Sequence, residues 1–149
     1  MTCADPELLD LPWEDTATYT LDPAVNLPGE GALIFPTGLS PGKLRAMSIY
    51  TTPKIRRFLV QCGSAKYVES YSMSLPRTVK VFNVPQDLHF KSQTLKYVAN
   101  YVFKNYLLKA SRQLITDRKG RICDANDDAQ WSAMTTVMKR DLRQQVLFN

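Results

Sequence analysis

Short stretches of the chain alternate between apolar and polar residues with a period of two. Tyr71, Met73 and Leu75 alternate with serines, which is the spacing of a half-buried β-strand. A second strand is predicted over residues 79–84, after a turn that begins at Pro76. We expect these two strands to lie side by side as an antiparallel pair.

The segment 92–112 carries its apolar residues at helical spacing, which predicts the most regular helix of the chain. Lys96, Asn100 and Lys104 mark its solvent face. The residues of the predicted core face are Leu95, Val98, Ala99, Val102, Phe103, Tyr106 and Ala110, and those of a second apolar strip are Tyr97, Tyr101 and Leu108. Two apolar strips indicate either a helix packed on two sides or a helix with a subunit or ligand interface.

Capping signals predict three further helices. The ranges 41–50 and 53–61 each begin with a proline that follows serine or threonine, a typical start of a short helix. The last helix begins at a cap formed by Asn126 or Asp127. Its predicted buried stripe consists of Trp131, Met134, Met138, Leu142 and Val146.

These elements together predict an α+β fold. Residues 114–123 complete it as a hairpin with its turn at 117–120. The predicted architecture is a small antiparallel sheet and a hairpin packed with two long amphipathic helices, preceded by an extended Pro-rich N-terminal arm. We place the arm at residues 1–42 and the basic α+β domain at 43–149.

The arm contains six of the nine prolines, each of which restricts its own backbone and that of the preceding residue. It also carries large apolar residues that a solvated tail would lack. The predicted anchors of the arm are Trp13, Leu33, Ile34 and Phe35. We expect these side chains to fix an extended arm to the body of the chain or to a neighbouring subunit.

Charge is distributed unevenly along the chain. Residues 1–42 hold seven acids and no Lys or Arg, so their net charge is −7. Residues 43–149 hold all 19 Lys and Arg against seven acids, which gives +12. Such an arm and body attract each other, so the arm either masks the basic body or joins subunits into a homo-oligomer or larger assembly.

Basic residues interleaved with aromatics form the candidate binding site. The predicted nucleic-acid-binding residues are Lys54, Arg56, Arg57, Lys66, Arg77, Lys80, Arg118, Lys119 and Arg121. Clustered on one surface, these charges would neutralise phosphates while exposed aromatic rings stack on bases. The alternative interpretation is an ordinary solvated basic surface.

The usual residues of catalysis are missing from the pattern. The only histidine, His89, stands between apolar residues, and Cys3, Cys62 and Cys123 form no metal-ligand spacing. An Asp-x-Asn-x-Asp run begins at Asp124 but lacks the glycine and glutamate of a calcium loop. We therefore predict no catalytic residues, no metal and no cofactor.

The expected location is intracellular. Neither a signal peptide nor a transmembrane segment is predicted, and three scattered cysteines favour free thiols in a reducing compartment such as the cytoplasm, the nucleus or a virion interior.

Three functions remain open. The first is a non-enzymatic structural subunit of coat, matrix or ribonucleoprotein type, viral or cellular. Such a subunit would self-associate through its arm and contact RNA, DNA or, peripherally, an anionic membrane surface. The second is an accessory subunit of a large complex without nucleic-acid contact. The third is a small enzyme whose site is unrecognised.

Overall fold

Antiparallel β-strands make up most of the regular structure. The computed structural model describes residues 2–3, 15–16, 30–34, 43–49, 60–118, 120, 122–123 and 125–149. In chain order the elements are β1 (Thr2–Cys3), β2 (Asp15–Thr16), β3 (Gly31–Ile34), α1 (Lys43–Ile49), β4 (Val60–Gln61), β5 (Ala65–Ser74), β6 (Val81–Asn83), β7 (Leu88–Lys91), β8 (Leu95–Lys104), β9 (Leu107–Thr116), β10 (Ile122–Cys123), α2 (Ala125–Asp141) and β11 (Gln145–Phe148).

The largest sheet has four antiparallel strands in the order β5-β9-β8-β7. β8 and β9 form its central hairpin, with Tyr97 opposite Leu114. Every second residue from Leu95 to Tyr101 is buried, because successive side chains of a strand point to opposite faces. One face of this sheet therefore packs against the core, and the other faces solvent.

A second sheet places β11 between β3 and β6, and both neighbours are antiparallel to it. Leu33 of β3 lies opposite Val146 of β11, and both side chains are buried. This pairing ties residues 31–34, which lie in the predicted arm, to the last strand of the chain.

The core lies where the inner face of the four-stranded sheet meets the helices and β11. α2 packs against β7 and β8, and α1 contacts both α2 and β5. The fully buried apolar side chains include Leu44, Leu95, Tyr97, Leu108, Leu114, Met134, Met138, Val146 and Phe148. Burial of this apolar surface is the main favourable term in folding.

The predicted fold class, a small sheet packed with two long helices, is wrong. The structure is mostly β, and the segment 92–112 forms the β8–β9 hairpin in place of a helix. Lys96, Asn100 and Lys104 follow one another at intervals of four residues. Residues i and i+4 lie on the same face of a helix and also on the same face of a strand, so this spacing does not distinguish the two.

The second apolar strip resolves this ambiguity. Tyr97 and Tyr101 stand two residues from Leu95 and Ala99, and all four side chains are buried on the same face of β8. Tyr97 and Tyr101, which were predicted to form a second helical surface, are therefore alternate buried positions of a β-strand.

Two strand pairings also differ from the prediction. β5, which contains Tyr71 and Met73, is confirmed as a strand, but it pairs with β9. The segment 79–84 contributes the shorter strand β6, which pairs with β11. No hairpin spans 114–123, because β9 ends at Thr116 and β10 pairs with β4.

Cys62 and Cys123 form a disulfide, so the prediction that they are free thiols is wrong. The bond joins the ends of the paired strands β4 and β10, with 5.8 Å between the two Cα atoms. Strand pairing brings together two cysteines that are 61 residues apart in the chain. The cellular compartment of the chain stays a prediction.

The last helix is confirmed as α2, but it begins at Ala125, so the predicted cap at Asn126 or Asp127 is wrong. Asp127 and Asp128 lie in its first turn, and Lys139 and Arg140 lie in its last. This charge order is favourable for the helix dipole. Met134 and Met138 are buried as predicted, whereas Val146 belongs to β11. The short helix predicted over 41–50 is confirmed as α1, and residues 53–59 of the next predicted helix lie outside the described ranges.

Candidate functional site

The solvent face of the four-stranded sheet carries one type of charge. Its alternation places five lysines outward, all of them exposed. These residues, which we call the lysine face, are Lys66, Lys91, Lys96, Lys104 and Lys109. They come from all four strands, so the sheet assembles a surface that no single segment contains.

Strand register arranges part of the lysine face in a row. Ile115 of β9 lies between Lys66 on β5 and Lys96 on β8, and Lys91 on β7 lies opposite Lys96. Neighbouring strands are about 4.8 Å apart, so three ammonium groups cross the sheet within roughly 15 Å.

No acid offsets these charges on the described solvent face. The strands β5, β7, β8 and β9 contain one acidic residue, Glu69, and it lies on the core side of β5. There its carboxylate accepts hydrogen bonds from the Leu44 backbone N–H at 2.9 Å and from the Tyr71 hydroxyl at 3.1 Å. The four strands therefore contribute positive charge and no negative charge to this face, an arrangement that attracts polyanions.

A groove of about 640 Å³ lies at the end of the sheet where β8 turns into β9. Val81 and Phe103, both half-buried, contribute apolar surface above the buried Val79, and Arg77 and Lys80 contribute exposed positive charge. The other lining residues are Thr78, Asn105 and Tyr106. We call this set the turn groove.

Backbone hydrogen bonds hold both walls of the turn groove. Arg77 stands at a turn closed by the Val79 N–H, which donates to the Pro76 carbonyl at 3.0 Å. Lys80 exchanges two backbone hydrogen bonds with Asn149, at 2.9 and 3.1 Å. On the opposite wall, the Leu75 N–H donates to the Tyr106 carbonyl at 2.8 Å. The groove is thus built on fixed backbone.

Tyr106 adopts a backbone conformation that is unusual for its residue type. Asn105 and Tyr106 connect β8 to β9 with φ values of 52° and 60°. A two-residue turn of this kind favours Asn-Gly, because a side chain in the left-handed region costs about 1–2 kcal/mol. Tyr106 is 42% exposed, so part of its side chain remains open to solvent.

The structure brings three of the predicted binding residues to these two surfaces. Lys66 belongs to the lysine face, and Arg77 and Lys80 line the turn groove. Lys54, Arg56, Arg57, Lys119 and Arg121 lie outside the described residues.

The Arg118 side chain is held in a largely buried ion pair. Its guanidinium contacts the Asp127 carboxylate at 2.6 Å, and its side chain is 5% exposed. The Arg118 Nη1 also lies 3.7 Å from the Cys62 sulfur, beside the disulfide. A side chain held in this way is poorly placed to reach a phosphate.

Of the predicted arm anchors, Leu33 is buried against β11 and Ile34 is 43% exposed. Trp13 and Phe35 are outside the described part of the chain. Whether the arm mediates assembly stays a prediction.

Sequence analysis missed four residues of the lysine face: Lys91, Lys96, Lys104 and Lys109. They are isolated lysines, and the prediction relied on runs of basic residues. The sequence nevertheless contained a signal for these lysines, namely the alternation of polar and apolar residues along each strand. In each strand the lysines occupy positions of the same parity as the polar residues, and a strand assignment would have placed them together.

A second basic groove, of about 440 Å³, lies at the end of α2. It is lined by Thr136, Lys139, Arg140, Arg143 and Gln144. The helix dipole stabilises cations near the C-terminus of a helix, so the presence of these cations needs no ligand to explain it. The residues that line this groove include no aromatic side chain, so its cations are suitable for control substitutions.

The interior contains a polar cluster around Asp141. Burial, and next the neighbouring Asp141 carboxylate, raises the pKa of Tyr97 far above its ordinary value. Burial likewise raises the pKa of Tyr101, while Arg112 opposes the rise. Burial and the charge of Glu69 raise the pKa of Tyr71 to about 12. Arg112 and Asp141 are at most 1% exposed, so the cluster is a structural element closed to substrates.

Within the described ranges, no three His, Cys, Asp or Glu side chains are grouped as metal ligands. Neither described helix is long and apolar enough to cross a membrane. His89 is exposed on the solvent face of β7.

No protein-family model matches the chain, and no curated protein matches it. Among solved structures, a crystal structure of a "putative protease" from Parabacteroides distasonis is similar, with a TM-score of 0.56 and 13% sequence identity. The match covers 82% of this chain and 24% of that chain. At this identity the likeness shows the fold alone, and this chain spans about a quarter of the length of its neighbour.

Proposed function

We propose that this chain is a non-enzymatic binding subunit whose lysine face engages the phosphate backbone of a nucleic acid. The observation that carries the proposal is the five-lysine sheet face on which the described residues include no acid. Lysines that neutralise phosphates release condensed counterions, which is the main source of affinity in binding without sequence preference.

The chemistry of the lysine face fits a repeating anion. The lysines are separated by short or uncharged side chains, among them Ser70, Asn100 and Ser111, which can donate hydrogen bonds to phosphate oxygens. Lys66, Lys96 and Lys91 cross the sheet in one row, so several phosphates of one strand can be contacted together. Because the side chains are flexible, such contacts read charge and not sequence.

The test is a titration of single-stranded RNA, single-stranded DNA and duplex DNA with fluorescence anisotropy. In the face variant, all five lysines of the lysine face are replaced by glutamine. The matched control replaces Lys139, Arg140 and Arg143 by glutamine at the end of α2. The face variant is expected to bind all three nucleic acids more weakly, and each lost contact lowers the slope of log K against log salt by about 0.7–0.9.

Two results would contradict the proposal. One is the absence of binding by the unaltered chain at low salt. The other is an equal loss per removed charge in the face variant, which lacks five charges, and in the control, which lacks three. That result would reduce the effect to net charge. Binding to vesicles of anionic lipid without binding to nucleic acid would show that the ligand of the lysine face is a membrane surface.

A second candidate function is an accessory module that docks on an acidic protein surface. It is favoured by the similar fold that occupies 24% of a longer chain. Val68 and Val102, 55% and 57% exposed between the lysines, would contribute apolar contact to such an interface. Salt-sensitive binding to an acidic protein, without binding to nucleic acid, would favour this candidate.

A further inference from the structure

The turn groove combines two properties that a backbone-binding surface does not need. Its lining includes two aromatic side chains, Phe103 and Tyr106, beside apolar Val79 and Val81. Its rim carries the cations Arg77 and Lys80. A ligand that matches this lining must be planar and apolar at one end and anionic at the other.

Tyr106 provides an independent reason to assign a role to the groove. Its φ of 60° is strained for a tyrosine, and glycine would relieve the strain. Strained residues persist where the surrounding structure enforces them, and they cluster at binding sites. Tyr106 remains 42% exposed, so part of its side chain is accessible to a ligand.

We propose that the turn groove binds one nucleotide of a single strand, with the base stacked on the Tyr106 ring and the phosphate held by Arg77 and Lys80. The inference rests on the proposed function and adds the type of strand. The lysine face would bind any phosphate backbone, whereas the turn groove selects strands whose bases are unpaired.

Selection follows from the availability of base faces. In a duplex each base is stacked between its neighbours, so a protruding tyrosine finds no free face. In a single strand the bases can turn outward, and aromatic stacking accepts every base because each has a planar face. Charge complementarity supplies the second contact, since phosphates flank each base and Arg77 and Lys80 line the same groove as Tyr106.

The groove is prepared for this contact before the ligand arrives. Hydrogen bonds at Val79, Lys80 and Tyr106 fix the backbone of both walls. Little backbone entropy is then lost when a nucleotide enters, which favours affinity.

The decisive variant is Tyr106→Gly, because it removes the ring and relaxes the turn. Thermal melting will verify that the variant is as stable as the unaltered chain, so that a loss of binding can be assigned to the missing ring. The probes are a uridine oligomer and an abasic oligomer of equal length, which share phosphates and differ in bases. The wild-type chain is expected to prefer the uridine strand by roughly tenfold, as one stacked base allows.

In Tyr106→Gly the ratio of the two dissociation constants is expected to fall toward one, and Tyr106→Phe, which keeps the ring, should restore the preference. Exchange of Arg77 and Lys80 to glutamine is expected to weaken binding of both strands. The comparison variant, with Lys139 and Arg140 changed to glutamine, leaves the preference for uridine as it is.

The outcomes separate the inference from the proposed function. Binding of neither oligomer by the wild-type chain overturns both. Equal binding of the two oligomers by the wild type, or an unchanged preference in Tyr106→Gly, overturns the inference alone. In that case the face variant still reports on the lysine face.

Discussion

Arg112 and Asp141 form a buried ion pair, with 2.7 Å between the Arg112 Nε and the Asp141 Oδ2. The pair joins the centre of β9 to the last residue of α2. The Asp141 carboxylate also accepts hydrogen bonds from the hydroxyls of Tyr97 and Tyr101, at 2.7 and 2.8 Å. The Tyr101 hydroxyl in turn accepts a bond from the Arg112 Nη2 at 2.7 Å. The network fixes the end of the helix on the sheet.

Exchange of Asp141 for asparagine is expected to lower the free energy of unfolding by about 3–5 kcal/mol, because it leaves the Arg112 charge buried without its counterion. Urea unfolding followed by circular dichroism measures the change. The control is Asp117→Asn, at an exposed position, where a change within about 0.5 kcal/mol is expected. A loss below about 1 kcal/mol at Asp141 would show that the ion pair is not a principal support of the fold.

Stability is expected to decrease as the pH rises above about 10, the ordinary pKa of tyrosine. In the unfolded chain the tyrosines lose their protons there, while burial keeps Tyr97 and Tyr101 protonated in the folded state. Tyr71, with a pKa of about 12, adds to the effect between the two values. Below pH 10 this contribution to stability is fully present.

The slope at Tyr97 is expected to reach about 1.4 kcal/mol per pH unit once the unfolded tyrosine is ionised. Tyr97→Phe should make the decline less steep by that amount, although it also removes a hydrogen bond at all pH values. Urea titrations between about pH 9 and 11 measure both effects. A decline equally steep in Tyr97→Phe and in the unaltered chain would refute the assignment.

Loss of the Cys62–Cys123 disulfide is expected to lower the free energy of unfolding by about 4 kcal/mol, from the entropy of a closed loop with a sequence separation of 61. The double exchange to serine and treatment with a reductant should give the same unfolding midpoint. Alkylation followed by mass spectrometry counts the free thiols. Full alkylation of both cysteines in the unreduced, denatured chain would contradict the bond.

Removal of residues 1–29 tests the arm while it retains β3, whose Leu33 is part of the core. If the arm joins subunits, light scattering should report a smaller assembly, and circular dichroism should show an intact fold. If the arm instead masks the basic body, nucleic acid should bind more tightly at low salt, because a competing polyanion is gone. An unchanged number of subunits per particle, together with an unchanged affinity for nucleic acid, would show that the arm has neither role.

The sequence was most informative where one face of an element is buried and the other is not. β5 was recognised because Tyr71 and Met73 alternate with serines, and α2 because its apolar residues recur at helical spacing after a polar cap. In both elements the local period has one interpretation. In β8 it had two, since Lys96 and Asn100 are four residues apart, and four is an even number as well as close to one helical turn.

The charge asymmetry, the local periods and the lack of familiar catalytic motifs are evident from the order of the amino acids. The neighbours of each strand, and with them the lysine face, the turn groove and the disulfide, are evident only in the folded chain. The physical reason is that strand partners are chosen by packing between distant segments, and no local propensity encodes that choice. Lys66 on β5 and Lys91 on β7 share a surface because β9 and β8 join their strands into one sheet.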